Sequence, residues 1–565
     1  MATRDLPHSF SDFAFGWSKH LPQEITVTKA YKQKQAERRE RDAQILAARR
    51  LSDSSSGHEV DGAGKVVKPT SDIDPNLPVY EEVDKVKMKN LWPAFASGAG
   101  LFSDGYINNG MSAVNACLTR IYGKKYTNSN AMSNVSSIAF VGIVVGQLGF
   151  GYISDRVARK GGMLTATFML IFFSLLCAVG TWGANGSAEG LFASLTAFRF
   201  FLGIAIGAEY PTSSVIASEF ANQLPAGRRN RYFCWFTNAM IDFGYVVSAF
   251  VPLVLLWIFS TRHLTAVWRL TLGLGCIPPL SLLFFRLKLK DGEAFQKTNM
   301  KRVKKYPYWL IIKFYWFRLT IVSLIWFIYD FSVYAFGTYS TNILATLVPP
   351  GDMYKSFGWN VVLNLFYMPG AFLGALSADY IGPRLTIAIG VGLQGVIGFC
   401  MAGKYESLAH PVGGFVVVFG IFYSLGEFGP GDNLGLLASK TSATPVRGQY
   451  YGIAAAVGKI GAFVGTWVFP VIQRHLGEIK GPVYISSGLC FFSAFLAIFF
   501  CPSVSQDCIE EEDQAFLAYL ESNGYDISQL GDPGVVEDVE SSASNISSPN
   551  KESDIQVHAT KKDSA

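Results

Sequence analysis

Twelve apolar runs, each long enough to cross a bilayer, constrain this chain more than any other feature. A helix spanning ~30 Å of hydrocarbon needs about 20 largely apolar residues. Runs of that kind fall at roughly 91–116, 135–154, 162–184, 190–216, 231–259, 266–286, 316–344, 358–378, 385–403, 411–430, 450–473 and 483–501. They predict an all-α membrane protein with twelve transmembrane helices, here called spans 1 to 12. Half of the 565 residues are hydrophobic and 16% are charged, against about 25% charged in soluble domains. The charged residues crowd into 1–90 and 502–565, which read as solvated and largely disordered tails. Within the first tail, 36–50 reads as a solvated charged helix, with a membrane-surface helix as the second reading.

Charge also predicts orientation. The loops after spans 2, 4, 6, 8 and 10 carry 18 Lys and Arg and the opposite loops about 8. The excess places both termini and the basic linker 287–315 in the cytosol. That linker separates 91–286 from 316–501, with six runs in each. Residues 1–20 lack a basic stretch followed by an apolar one, so span 1 is expected to act as the membrane signal. Two sequons, at Asn134 and Asn185, fall in loops expected outside the cytosol and suggest a glycoprotein.

Several classes are excluded by what the sequence lacks. No HExxH, CxxC pair or GxxxxGK[ST] is present, so the chain is read as no enzyme, with no metal and no cofactor. Most of the eight cysteines lie in or at the ends of apolar runs and read as reduced, structural residues. The net charge of +5 sits in loops without a base-stacking or groove-reading pattern, so nucleic acid is not a partner. A sensor built on a transporter frame remains a minor reading, because the C-terminal tail is short. The oligomeric state is open and a monomer is compatible with the sequence.

The two halves repeat one another. GYISDRVARKGG (Gly151 to Gly162) follows span 2, and ALSADYIGPR (Ala375 to Arg384) follows span 8, with Asp155 and Asp379 separated by 224 residues. Small residues let two helices approach, an Asp caps the next helix N-terminus, and cations anchor at the membrane face. In these motifs the chain resembles the major facilitator superfamily: Asp155, Arg156, Arg159 and Lys160 match its loop signature, with Ala158 in place of a glycine. Asp379 and Arg384 stand at the equivalent place of the second half, and Arg199, Gly203 and Gly207 in span 4 fit the same pattern. The resemblance implies two pseudo-symmetric six-helix bundles that rock about a central site, with the loop motifs as gating elements.

An ionisable residue near mid-bilayer costs about 2.5–3.5 kcal/mol even on insertion scales, so each needs a partner or a polar cavity. Asp104, Arg199, Glu209, Asp242, Asp330, Glu427, Asp432 and Lys459 lie in or at the ends of apolar runs. For Arg199, Glu427 and Asp432, interhelical pairing or capping is an equal reading. Trp326, Asp330 and Tyr334 recur at i, i+4 and i+8, which puts an indole N–H, a carboxyl and a phenol on one helix face. Such a face is suited to hydrogen-bonding a phosphoryl group and to taking up a proton.

A closer resemblance spans about 90–500. GAGLFSDGY in span 1, RFFLGIAIGAEYP in span 4, W-x3-D-x3-Y in span 7, FGP in span 10 and GKIGA in span 11 resemble the phosphate:proton symporters of plants and fungi. That likeness implies a small anionic phosphorylated solute and protons as partners, in a plasma membrane. It assigns substrate contact to Tyr210, Trp326, Asp330, Tyr334 and Lys459, joined by Asp242 and Asn433, and proton coupling to Asp104, Asp330 and Glu209. The departures are Ile107 for a second Asp, Ile241 for a Gln, and Gly431 for an Asn. They remove two hydrogen-bonding groups and a carboxylate, and Gly431 vacates volume. With AMIDFG in span 5 and FGPGDN in span 10, the chain is most similar to fungal glycerophosphoinositol permeases, which implies import of glycerophosphodiesters such as glycerophosphoinositol or glycerophosphocholine. Inorganic phosphate is the second reading.

Overall fold

The structure, a computed structural model, describes residues 9–54, 87–225, 227–289, 293–301, 303, 305–409, 411–476 and 479–530. Among the described residues, eleven helices are long and apolar enough to cross a membrane: Ala131–Arg156, Arg159–Val179, Ala188–Asn222, Arg229–Phe259, Thr261–Leu287, Tyr308–Ala345, Met353–Tyr380, Pro383–Gly403, Val412–Lys440, Thr444–Gln473 and Lys480–Phe499. These are spans 2 to 12. Span 1 is the exception. It runs through Met88–Gly98, a tight turn at Ala99–Leu101, and Phe102–Tyr122, and Asp104, Asn108, Asn109 and Asn115 make it too polar for the same criterion. Its amides bind protein rather than lipid: the Asn109 Nδ2 donates to Ser248 Oγ at 3.0 Å and Asn364 Oδ1 at 2.9 Å, and Asn115 to Ser136 Oγ at 2.9 Å. A span enclosed by other helices tolerates polarity that lipid would not.

Glycine positions the helices in pairs. A Cβ on Gly203 or Gly207 of span 4 would strike the carbonyls of Ala139 or Ile143 in span 2, and one on Gly142 or Gly146 would strike those of Phe200 or Ile204 in return. The ridge expected from Arg199, Gly203 and Gly207 is thus a packing seam. The second half repeats it, with Gly370 and Gly374 of span 8 against Ser424 and Phe428 of span 10. Spans 1 and 5 likewise meet through Gly105 and Gly244, and their counterparts 7 and 11 through Gly461 and Gly465.

The repeated loop motif does not do what its sequence suggests. Asp155 was expected to cap the helix that follows it, yet the Arg159 helix has no side-chain cap. Instead the Asp155 carboxylate accepts the Gly448 and Gln449 N–H at 3.0 and 2.7 Å, at the start of span 11. Asp379 accepts the Asn230 N–H at 3.1 Å and the Arg231 Nε, at the start of span 5. Each half therefore caps a helix of the other, and the repeat is a pair of symmetric clasps. Arg159 joins Glu219 and the Thr444 carbonyl. Arg156 and Lys160 instead hold the linker side, at the carbonyls of Met300 and Leu287.

The tails differ most from expectation. Helices Phe10–Glu24, Lys29–Ser54 and Cys508–Ser522 occupy stretches that composition reads as disordered. Opposite charges explain the order. Arg38 pairs with Asp507 and Glu510, Lys34 with Glu511 at 2.9 Å, and Tyr31 and Ile45 are buried. The helix around 36–50 is charged and mostly exposed, as its composition suggests, with Arg38 and Asp42 half-buried and Ile45 buried on the side that meets the rest of the protein. The C-terminal helix in turn bridges the halves, through Arg229 to Asp507 at 2.8 Å, Arg318 to Glu512 at 2.7 Å, and Thr444 Oγ1 to Asp513 at 2.7 Å. Arg384 leaves the clasp to bind Glu24 and the Trp17 carbonyl, both at 2.8 Å. Residues 1–8, 55–86 and 531–565 of the tails lie outside the described residues.

Gly207→Val and Gly465→Val should each lower folding stability by about 1–3 kcal/mol through overpacking, read as an earlier thermal transition in detergent. Gly149→Ala, whose Cβ meets nothing within 4 Å, should leave that transition unchanged or raise it.

Candidate functional site

Between the halves lies a small cavity of about 40 Å³. Span 7 contributes Trp326, Asp330 and Tyr334, so the stripe expected from the spacing does share one lining. Span 11 contributes Lys459, brought close because Gly458 leaves room for the Trp326 ring. Span 4 contributes Tyr210, which opens a widened helical turn over Tyr210–Ser214 with Pro211 at its second position; such turns mark functional positions in helices.

The Lys459 ammonium is the centre of this wall. Its Nζ lies 3.2 Å from Asp330 Oδ2 and 3.8 Å from Asp104 Oδ2. It donates to the Tyr334 hydroxyl and stands 3.8 Å from the Tyr334 ring centroid. Asp104 lies behind, accepting from Tyr334 at 3.1 Å and from Tyr210 and Asn108. One cation and two carboxylates thus form a group with an excess negative charge, buried to 1% exposure at each residue.

A second polar group shares the cavity. Asn238 Nδ2 reaches Glu427 Oε2 at 3.0 Å, Asp432 Oδ1 at 3.1 Å and Asp242 Oδ2 at 3.3 Å. Tyr329, next to Asp330 in span 7, donates to Glu427 Oε1 at 2.6 Å. Glu427 and Asp432 are therefore more than the helix-end caps they resemble in sequence. Asn238, Tyr245 and Tyr329 carry no sequence signal beyond their neighbours, because neutral polar and aromatic residues are ordinary in helices of this kind.

Several positions singled out in the sequence fall elsewhere or act otherwise, and Asp242, behind the cavity wall, reaches the site through Asn238 and Glu427. Glu209 points away from the cavity and pairs with Arg286 through both oxygens, at 2.6 and 2.8 Å. Arg286 also binds the Ser97 carbonyl and Thr167, so this is an interhelical ion pair tying spans 1, 3, 4 and 6. The glycine of GAG at Gly100 is needed there, since a Cβ would meet Arg286. Asn433 spends its Nδ2 on the carbonyls of Phe428 and Gly429 at 3.2 and 2.8 Å, restoring bonds lost in the widened turn Glu427–Gly431. Gly431 vacates no free volume: a Cβ there would meet the Glu427 carboxylate and the Tyr329 hydroxyl. Ile107 packs against Gly275 in span 6, while Ile241 lines the cavity. Arg199 donates from Nε to the Val135 carbonyl at 2.8 Å, away from the site.

Both ends of the cavity are shut. The Asp155 and Asp379 clasps close the face that carries the tails. At the other face Asn109 meets Asn364, and Thr341 donates to Ser112 at 3.1 Å.

Two related six-helix bundles enclosing a polar cavity define a multi-pass membrane transporter of the major facilitator fold. An E. coli proton:xylose symporter, solved with 6-bromo-6-deoxy-D-glucose, superposes with a TM-score of 0.62 at 17% identity, covering 76% of this chain and 98% of that one. The chain belongs to the sugar (and other) transporter family of that superfamily, whose model matches residues 89–305 and 292–516. A major glycerophosphoinositol permease of Candida albicans is 61% identical over 95% of this chain and 96% of its own length. A glycerophosphocholine permease of the same yeast is 62% identical over 95% of each chain.

Glu209→Gln should cost about 3–5 kcal/mol by stranding the buried Arg286 charge, seen as lost folded protein in fluorescence size-exclusion. Glu209→Met with Arg286→Met should recover much of it. A folded Glu209→Gln protein with altered pH dependence would return Glu209 to the coupling groups.

Proposed function

We propose that this chain imports glycerophosphodiesters across the plasma membrane together with protons, by alternating access, with both termini in the cytosol. The observation that carries the reading is the Lys459 group: an ammonium, three aromatic hydrogen-bonding side chains and the Asp330 carboxyl on one cavity wall, with Asp104 behind them. The two Candida albicans relatives, named for glycerophosphoinositol and glycerophosphocholine, support the phosphodiester as the shared part of the substrate.

Charge arithmetic makes the coupling. With Asp104 and Asp330 ionised, Lys459 is already over-neutralised, and a phosphodiester anion has no electrostatic reason to stay. Protonation of Asp330 frees one face of the ammonium, which then pairs with the phosphoryl oxygens. Trp326 Nε1 and the Tyr210 and Tyr334 hydroxyls complete its hydrogen bonds. Protons also offset the membrane potential, which opposes a single inward negative charge by about 2.3 kcal/mol per 100 mV. Two protons per substrate make the cycle net positive for a monoanionic diester, and one proton does so for a zwitterionic diester such as glycerophosphocholine. Opening of the clasps at Asp155 and Asp379 lets the proton leave Asp330, and the re-formed Asp330–Lys459 pair expels the anion. The basic loops favour the clasped face as cytosolic.

Uptake of labelled glycerophosphoinositol, glycerophosphocholine and phosphate, in cells lacking their own transporters for these solutes, tests this at acid and neutral pH. Diester uptake favoured by acid is expected, and Asp330→Asn should lower it by about tenfold or more, about 1.4 kcal/mol, while still reaching the membrane. Phosphate uptake alone, or unchanged uptake in Asp330→Asn, would overturn the reading.

A further inference from the structure

The second polar group has no role in the coupling just described, and its composition is unusual. Asp242, Glu427 and Asp432 crowd around one amide, each 2% exposed or less. Among the described residues, no Lys, Arg or His forms an ion pair with any of them. Their side-chain hydrogen-bond partners are Asn238 and Tyr329, and Asp242 and Glu427 also contact one another. Buried carboxyls that repel one another either hold protons or gather a cation between them, and Lys459 is engaged elsewhere.

The cavity does offer room for one. Glu427, Asp432, Tyr329 and Tyr245 line the same space as Lys459. Tyr329 and Asp330 are neighbours in the chain, so the acidic group and the ammonium group stand side by side on one wall. The cavity is thus polarised, cationic at one pole and anionic with phenol rings at the other. A ligand matching both poles carries a phosphate and, a few bonds away, a cation. Phenol faces and carboxylates together suit an alkylammonium, which needs little hydrogen bonding and binds aromatic rings through their quadrupoles.

Resting on the proposed glycerophosphodiester import, we infer that Glu427 and Asp432, with Tyr329 and Tyr245 and with Asp242 behind them, form a subsite for an ammonium head group, so that zwitterionic glycerophosphodiesters are preferred. Choline and ethanolamine diesters share this chemistry. The quaternary form gains from the rings, the primary form from hydrogen bonds to the Glu427 and Asp432 carboxyls on the cavity wall. Gly431 has its explanation here: it admits the Glu427 carboxylate to the cavity wall. A neutral polyol such as inositol satisfies acceptors but leaves the acidic charge uncompensated.

Purified protein in liposomes, given glycerophosphocholine, glycerophosphoethanolamine and glycerophosphoinositol in parallel, tests the subsite. Wild type should show the higher kcat/KM for the two ammonium diesters. Glu427→Gln and Asp432→Asn should lose about tenfold more kcat/KM for those two than for glycerophosphoinositol. Thermal shifts give a second measurement independent of turnover: glycerophosphocholine should raise Tm more than glycerophosphoinositol in wild type, and that difference should vanish in Glu427→Gln, whose own Tm reports its folding. Parallel losses for all three diesters, with equal thermal shifts, would overturn the subsite while leaving the import reading intact. No diester uptake by wild type would overturn the import reading and the subsite together.

Discussion

An ammonium with nowhere to go organises this protein. Lys459 is buried in the middle of the molecule, where charge is tolerated only beside a counter-charge, and Asp330 and Asp104 provide it. Spans 1, 7 and 11 must therefore meet at one point, and span 4 joins them through the Tyr210 hydroxyl on Asp104. Small residues make that convergence possible. Gly461 and Gly465 bring span 11 onto span 7, Gly105 and Gly244 bring span 1 onto span 5, and Gly458 yields its side-chain volume to Trp326.

The same charge links the centre to the ends. In the proposed cycle the carboxylates at the centre compete with the anion for one lysine, so binding an anion and releasing a proton are opposed states of a single group. In that cycle the clasps at the tail-bearing face set which state is sealed from water. Each uses an Asp from one half to cap a helix of the other, and so holds only while the halves are together. The C-terminal helix adds ion pairs to both halves at that face, and Arg38 of the N-terminal tail holds that helix in turn. Opening there requires the tails to release one half.

Much of this was legible in the sequence, for identifiable reasons. Apolar runs gave eleven spans directly. The twelfth was also found, although the amides that make it polar disqualify it by composition alone. The Trp326–Asp330–Tyr334 face was readable because helical periodicity is local. Glu209 and Asn433 misled because sequence does not show direction: one points to Arg286 and the other to its own widened turn. Asp242, Glu427 and Asp432 were each visible as ionisable residues in apolar runs, but their meeting around Asn238 was not, because it is assembled from spans 5, 7 and 10 and only the fold brings those helices together. The ordered tails escaped for a similar reason, since their composition alone suggests solvation and their order comes from pairing with each other.

Proton movement during transport tests the central claim most directly. Liposomes containing the protein, lightly buffered and clamped at zero potential, are given glycerophosphocholine while external pH is followed. The account predicts alkalinisation outside in step with uptake, at one proton or more per diester, and its loss in Asp330→Asn. Uptake of the diester at full rate with no proton movement would contradict it.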